Sequence, residues 1–342
     1  MIGSRTRPGR RCPGTWTGRG PGARPLYRRP VETMPGLGDA GRDDATRDGA
    51  TFRLSDGRLL GYAEQGDPEG TPVLMFHGIP GSRLIRHPDP STAQRLGIRL
   101  ITFDRPGIGL SSPKPGRRML DWPKDVAEFA DAHGFDRFAV LGWSGGGPYA
   151  LATAHELPDR VTRVVLVAPL TPLAGTAFTR ELSPDLRRRA RIGRLIPWLV
   201  HAAVARDARA FRRDPHRALI DEFARGAAVD RVVLDDPELK QMLIDSRHET
   251  FSQGTRGIYE DALLYLRPWG FDPADVKVPI RLWHGESDET LSPAMGRHFA
   301  DLLVGSDVTF VPDKGHMVCL SHWESILRDA ASRSASTTAR HG

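Results

Sequence analysis

Ser144 stands among four glycines in LGWSGGGPYALA (141–152), a lone hydroxyl with almost no bulk beside it. Groups that could activate it lie downstream. VTFVPDKGHMVCL (308–320) presents His316 in a Gly-His step, and LWHGESDETLSP (282–293) offers Glu286, Asp288 and Glu289. A serine hydroxyl is a weak nucleophile until a neutral imidazole takes its proton, and a carboxylate then orients and stabilises the imidazolium. The chain order Ser, acid, His therefore points to acyl transfer.

Each candidate has a competitor. His322 is the nearest rival to His316, but it falls where the closing helix is expected, whereas His133, His155 and His298 sit on or at the end of helices and His201 and His216 lie in a helical stretch. Asp288 is preferred among the three acids. Its alternative role is to cap a helix beginning near Ser292. The strand ending in Ala168-Pro169 carries no carboxylate, which removes the other usual place for the acid. An oxyanion would be held by the backbone N–H of Gly145, behind which a helix begins, and by that of Ile79 in FHGIPGSR, since Pro80 has no N–H. His77 reads as a residue that holds this loop. Trp143 and Trp198 are candidates to line an apolar substrate pocket, with core packing as the alternative for each.

These residues need a scaffold that brings loops together. Short apolar runs ending in turn residues recur at 73–78, 99–104, 138–144, 164–169, 280–285 and 308–312, separated by helical stretches near 122–133, 146–156, 293–303 and 321–330. Runs apolar on both sides suit a parallel sheet covered on both faces, whose active groups gather at the carboxyl ends of the strands. TFRL and LLGYAEQG read as an antiparallel hairpin around SDGR. The gap of about 110 residues between 169 and 280 is mostly helical and far longer than an ordinary connection, which suggests an inserted cap. Its residues 187–217 carry ten arginines against Asp207 and Asp214, and 218–261 carry ten acids against five bases, so helix faces that pair with one another are expected.

Charge is unevenly placed. The net +6 arises in residues 1–33, with eight arginines and Glu32, which leaves about −1 for residues 34–342 and argues against a nucleic-acid-binding fold. That Gly/Pro/Arg-rich start reads as disordered and lacks the apolar run of a secretory leader, and Met34 offers a second start. No apolar run reaches membrane-spanning length. Two cysteines, Cys12 and Cys319, support neither a disulfide framework nor a cysteine zinc site and suit the cytoplasm. The expected organisation is a basic extension (1–49), an α/β core (50–169 and 263–330), a helical cap (170–262) and a frayed tail (331–342).

HGIPG (77–81), DRPGIGLS (104–111), GWSGGG (142–147), GESD (285–288) and GH (315–316) together resemble the α/β-hydrolase superfamily over about residues 51–330. The resemblance implies an eight-stranded, mostly parallel sheet, a helical cap after the sixth strand, no metal or organic cofactor, and a Ser144-His316-Asp288 triad; Asp104 would be structural. Haloalkane dehalogenases and epoxide hydrolases of the superfamily carry aspartate where Ser144 stands, which disfavours those activities. A carboxylesterase acting on a small-molecule ester is the leading expectation. Proline-iminopeptidase-like enzymes, which need cap carboxylates such as Glu181, Glu222 or Glu249, C–C bond hydrolases and perhydrolases share the triad. A receptor-like module that binds without turnover is the alternative of another class.

Overall fold

A computed structural model describes residues 48–174, 184–303 and 305–332, with the backbone alone for 184–186. The basic extension up to residue 47, Glu181 and the tail beyond 332 lie outside the described residues. Ala331, expected to open the tail, instead closes the last helix.

Eight strands form one sheet in the order β1-β2-β4-β3-β5-β6-β7-β8. β1 (Ala50–Arg53) and β2 (Leu59–Gly66) make the antiparallel hairpin, and β2 also runs antiparallel to β4 (Ile98–Phe103). From β4 onward the ladder is parallel through β3 (Thr71–Phe76), β5 (Phe138–Trp143), β6 (Val161–Val167), β7 (Ile280–Gly285) and β8 (Asp307–Val311).

The uninterrupted apolar runs follow from burial on both faces. Leu74, Phe76, Phe138 and Val140 point into one core, and their neighbours Val73, Met75, Ala139 and Leu141 point into the other. The first core is covered by α2 (Trp122–Ala132), α3 (Gly147–Glu156) and α9 (Pro293–Leu302), through residues such as Trp122, Phe129, Leu151 and Phe299. The second is covered by α1 (Ser91–Arg95), the short α10 (Val318–Ser321) and α11 (Trp323–Ala331).

Between β6 and β7 come α4 (Pro184–Leu195), α5 (Pro197–Arg213), α6 (Pro215–Phe223), a 3-10 segment (Ala228–Leu234), α7 (Pro237–Thr250) and α8 (Arg256–Tyr265). Several of these boundaries are written locally. Asp214 and Asp236 each precede a proline and accept backbone N–H bonds from the first turn, Arg217 in one case and Glu238 and Leu239 in the other. Of the two oppositely charged halves, Arg217 pairs with Asp221 one turn on, and Arg212 donates to the Phe251 carbonyl. Among the described residues no helix is long and apolar enough to cross a membrane.

Candidate active site

Four loops meet where the parallel strands end. β5 runs straight into Ser144, whose backbone has φ +53°, a left-handed conformation that a residue with a side chain rarely adopts. Such strain is kept only where the surroundings over-determine it. Here they do: a methyl on Gly146 would run into the Phe76 carbonyl, and one on Gly142 would lie 2.7 Å from the Gly146 oxygen. The turn from strand to helix closes only because both positions are bare.

The loop after β8 brings His316 Nε2 to 2.9 Å from Ser144 Oγ. Its other ring nitrogen, Nδ1, lies 2.8 Å from Asp288 Oδ2 in the loop after β7. A carboxylate can only accept, so Nδ1 carries the proton and Nε2 is left to accept from the serine hydroxyl. Asp288 is itself fixed, because Oδ1 accepts the N–H groups of Thr290 and Leu291. Burial would raise the Asp288 pKa, but His316 and these hydrogen bonds outweigh it and hold the carboxyl below its ordinary value. Burial would likewise lower His316, yet the Asp288 charge and hydrogen bond lift it above the ordinary 6.5. His284, 3.6 Å from Asp288, is held neutral by burial and bonds to the Leu291 carbonyl.

The remaining candidates separate cleanly. Glu286 pairs with Arg297 at the surface, Glu289 is exposed, and His322 bonds to Ser321 at the junction of α10 and α11. The helix near residue 292 is capped by Ser292 itself. His77 is buried, bonded through Nδ1 to the Gly78 carbonyl, and burial pushes its pKa far down. Ile79 lies beside the serine turn, where a methyl on Gly145 would sit 3.0 Å from Ile79 Cγ2. Trp143 lines the cavity over Ser144 and donates from Nε1 to the His316 carbonyl. Trp198 does not line it: the side chain is 66% exposed. The fully buried residues of α5 come toward its far end, at Ala208 and Phe211, and in its first turn Val200 packs against the core while Trp198 faces outward. Trp198→Ala should accordingly leave kcat/KM within about twofold of wild type in a steady-state assay.

The side chains that hold the site in place are not among the candidates read from type and spacing. Asp230, in the 3-10 segment, accepts the backbone N–H of His316 at 2.8 Å and of Met317 at 2.9 Å, clamping the loop that carries the imidazole. Arg105, in the DRPGIG turn, donates to the carbonyls of His77 and Gly78 and so fixes the loop that carries Ile79. Behind it Asp261 on α8 takes Arg105, Arg117 and the Tyr149 hydroxyl at 2.6 to 2.7 Å, all of them buried. The neighbouring Tyr265 hydroxyl donates to the Gly145 carbonyl. Asp104 accepts from Arg83 and from the Leu110 N–H, a structural role. Of the three cap acids, Glu222 lines the cavity, and Glu249 pairs with Arg83. Among the described residues no cluster of three or more His, Cys, Asp or Glu side chains is placed to hold a metal ion.

Comparison with known proteins agrees with this arrangement of strands and loops. Residues 71–322 match the family model described as alpha/beta hydrolase fold. Haloalkane dehalogenase 2 of Mycobacterium tuberculosis is 35% identical over 158 residues, 43% of this chain and 54% of that protein, so the match spans about half the relative's length. The non-heme chloroperoxidase of Streptomyces lividans is 35% identical over 294 residues, covering 82% of this chain and 97% of the relative. The structure of a bromoperoxidase from Bacillus anthracis superposes with a TM-score of 0.62 at 21% identity, over 82% of this chain and 97% of the other. The chain belongs to the α/β-hydrolase fold family.

Proposed function

We propose that the chain is a serine hydrolase that cleaves carboxylic esters of small molecules through an acyl-enzyme on Ser144. The observation that carries this reading is the continuous relay from Ser144 Oγ through His316 to Asp288, with both hydrogen bonds under 3 Å. His316 takes the hydroxyl proton as Oγ attacks the ester carbonyl, and Asp288 stabilises the imidazolium. The N–H groups of Ile79 and Gly145 receive the oxyanion. His316 then gives its proton to the departing alkoxide. Water attacks the acyl-enzyme with the same imidazole as base, and Ser144 is released. Residues 170–262 act as a cap: Leu219, Phe223, Asp230 and Leu243 close the cavity from above the sheet. Cys319 is a free thiol inside the core, which goes with a reducing cytoplasm.

The cavity holds about 190 Å³. Short acyl groups fit it. Hydrolysis of p-nitrophenyl esters from acetyl to decanoyl should peak at acetyl to butyryl and fall for longer chains, and an absence of turnover across the series would overturn the esterase reading. The raised pKa of His316 sets the pH response. The base works only when neutral, so kcat/KM should fall through a single protonation as pH drops, with its midpoint above 6.5. A midpoint below 6.5 in a pH–rate profile would contradict the pairing with Asp288.

Perhydrolysis is a second reading, favoured by the match over 97% of the chloroperoxidase. Hydrogen peroxide would replace water in the attack on the acyl-enzyme and release a peracid. Peracid formation from acetate and peroxide, lost in Ser144→Ala, would distinguish it.

A further inference from the structure

The cavity over Ser144 has an apolar wall built from Ile79, Ile85, Trp143, Leu219, Phe223 and Leu243, yet an ion pair reaches it, Glu222 on α6 with Arg247 on α7. They pair through one nitrogen. Arg247 Nη2 lies 3.0 Å from Glu222 Oε1 and 2.9 Å from Oε2. The Arg247 Nε and Nη1 donors have no acceptor among the described residues, and the guanidinium lies 6.0 Å from the Phe211 ring. Its side chain is only 14% exposed, against 35% for Glu222.

A guanidinium largely taken out of water for one half-exposed partner gains little in stability, so its place in the wall of an apolar cavity calls for another reason. Asp230, the other cavity carboxylate outside the relay, has both oxygens engaged by the N–H groups of His316 and Met317, so it does not compete for Arg247. A largely buried cation in the wall of the cavity that holds Ser144 therefore keeps donors to spare, and its Nη1 edge, shared with the adjacent Nη2 hydrogen, has the shape that fits a carboxylate.

We propose that Arg247 anchors a carboxylate on the substrate, so that the esters cleaved at Ser144 are short and carry an anionic group away from the scissile carbonyl, as a monoester of a short dicarboxylic acid does. Glu222 keeps one hydrogen of Nη2 and holds the guanidinium in place, while the substrate carboxylate takes Nη1 and the other Nη2 hydrogen. A substrate amine on Glu222 is less favoured. It would draw the more exposed acid away and leave the buried cation unpaired, whereas an incoming carboxylate leaves the Glu222–Arg247 pair in place. The reaction rests on the ester-hydrolase reading; the binding preference does not.

The test is calorimetric titration of the full-length chain carrying Ser144→Ala, which cannot turn the probes over, with monomethyl glutarate, the neutral methyl valerate and the cationic methyl 4-aminobutyrate. Monomethyl glutarate should bind at least about tenfold more tightly than methyl valerate. Adding Arg247→Met should erase that advantage, and adding Arg247→Lys, which keeps the charge but not the fork, should retain part of it. Equal binding of the three probes, tightest binding of the amine, binding of none, or an advantage that survives Arg247→Met overturns the proposal. If the Met variant fails to fold, the ranking of the three probes on Ser144→Ala decides. Turnover of p-nitrophenyl esters by wild type is read separately, so failure of the esterase reading is distinguishable from failure of the carboxylate anchor.

Discussion

Ser144→Ala should lower kcat for p-nitrophenyl ester hydrolysis about 10³- to 10⁶-fold while leaving the thermal melt nearly unchanged. The loss is large because nothing else near the carbonyl can form the acyl-enzyme: the relay from Asp288 through His316 ends on Oγ alone. The melt stays put because alanine meets the same backbone requirement at φ +53° and only one hydrogen bond disappears. Loss of less than tenfold would mean that hydrolysis proceeds elsewhere or by direct attack of water.

The second large effect is structural. Asp261→Ala leaves the buried Arg105 and Arg117 guanidiniums and the Tyr149 hydroxyl without their shared acceptor. Removing one partner of a buried ion pair costs about 3–5 kcal/mol, a large part of the ~5–15 kcal/mol that holds a domain folded. Denaturant midpoints should fall accordingly, and activity should fall with them because Arg105 also ties down the His77–Gly78 carbonyls beside Ile79. The pH dependence has a definite sign. Burial would raise the Asp261 carboxyl, but Arg105 and Arg117 outweigh it and bring the pKa to about 2 against 3.8 unfolded. The carboxylate's contribution is thus full above 3.8 and is lost as pH falls through about 2. Wild type should weaken over that window, and Asp261→Ala should lack this share of the acid sensitivity. A destabilisation below about 1 kcal/mol would show that the two arginines find other partners.

What could be read from the chain and what could not divides along physical lines. The central strands are buried on both faces, so they are written as apolar runs that end where the chain turns, and Ser144, Asp288 and His316 stand just past such ends. β6 begins earlier than its apolar run because Val161 and Arg163 still pair with β5, with Thr162 bulged between them. Asp230, Arg247 and Glu222 sit on helical segments between β6 and β7, where the direction a side chain faces is set by how the helices pack on the sheet. Arg105 lay inside a motif already singled out, but its partner Asp261 is 156 residues away. Trp198 misled for the same reason. An aromatic at the start of an amphipathic helix suggests a buried face, yet α5 turns Val200 to the core and His201 to Tyr259 and leaves Trp198 outward.

The most direct test of the central claim is labelling with a fluorophosphonate, followed by intact mass and peptide mapping. An activated Ser144 predicts one adduct, on the peptide containing Ser144, formed rapidly in wild type and at a greatly reduced rate in His316→Ala. An unlabelled wild type, an adduct on another residue, or equal labelling rates with and without His316 would contradict it.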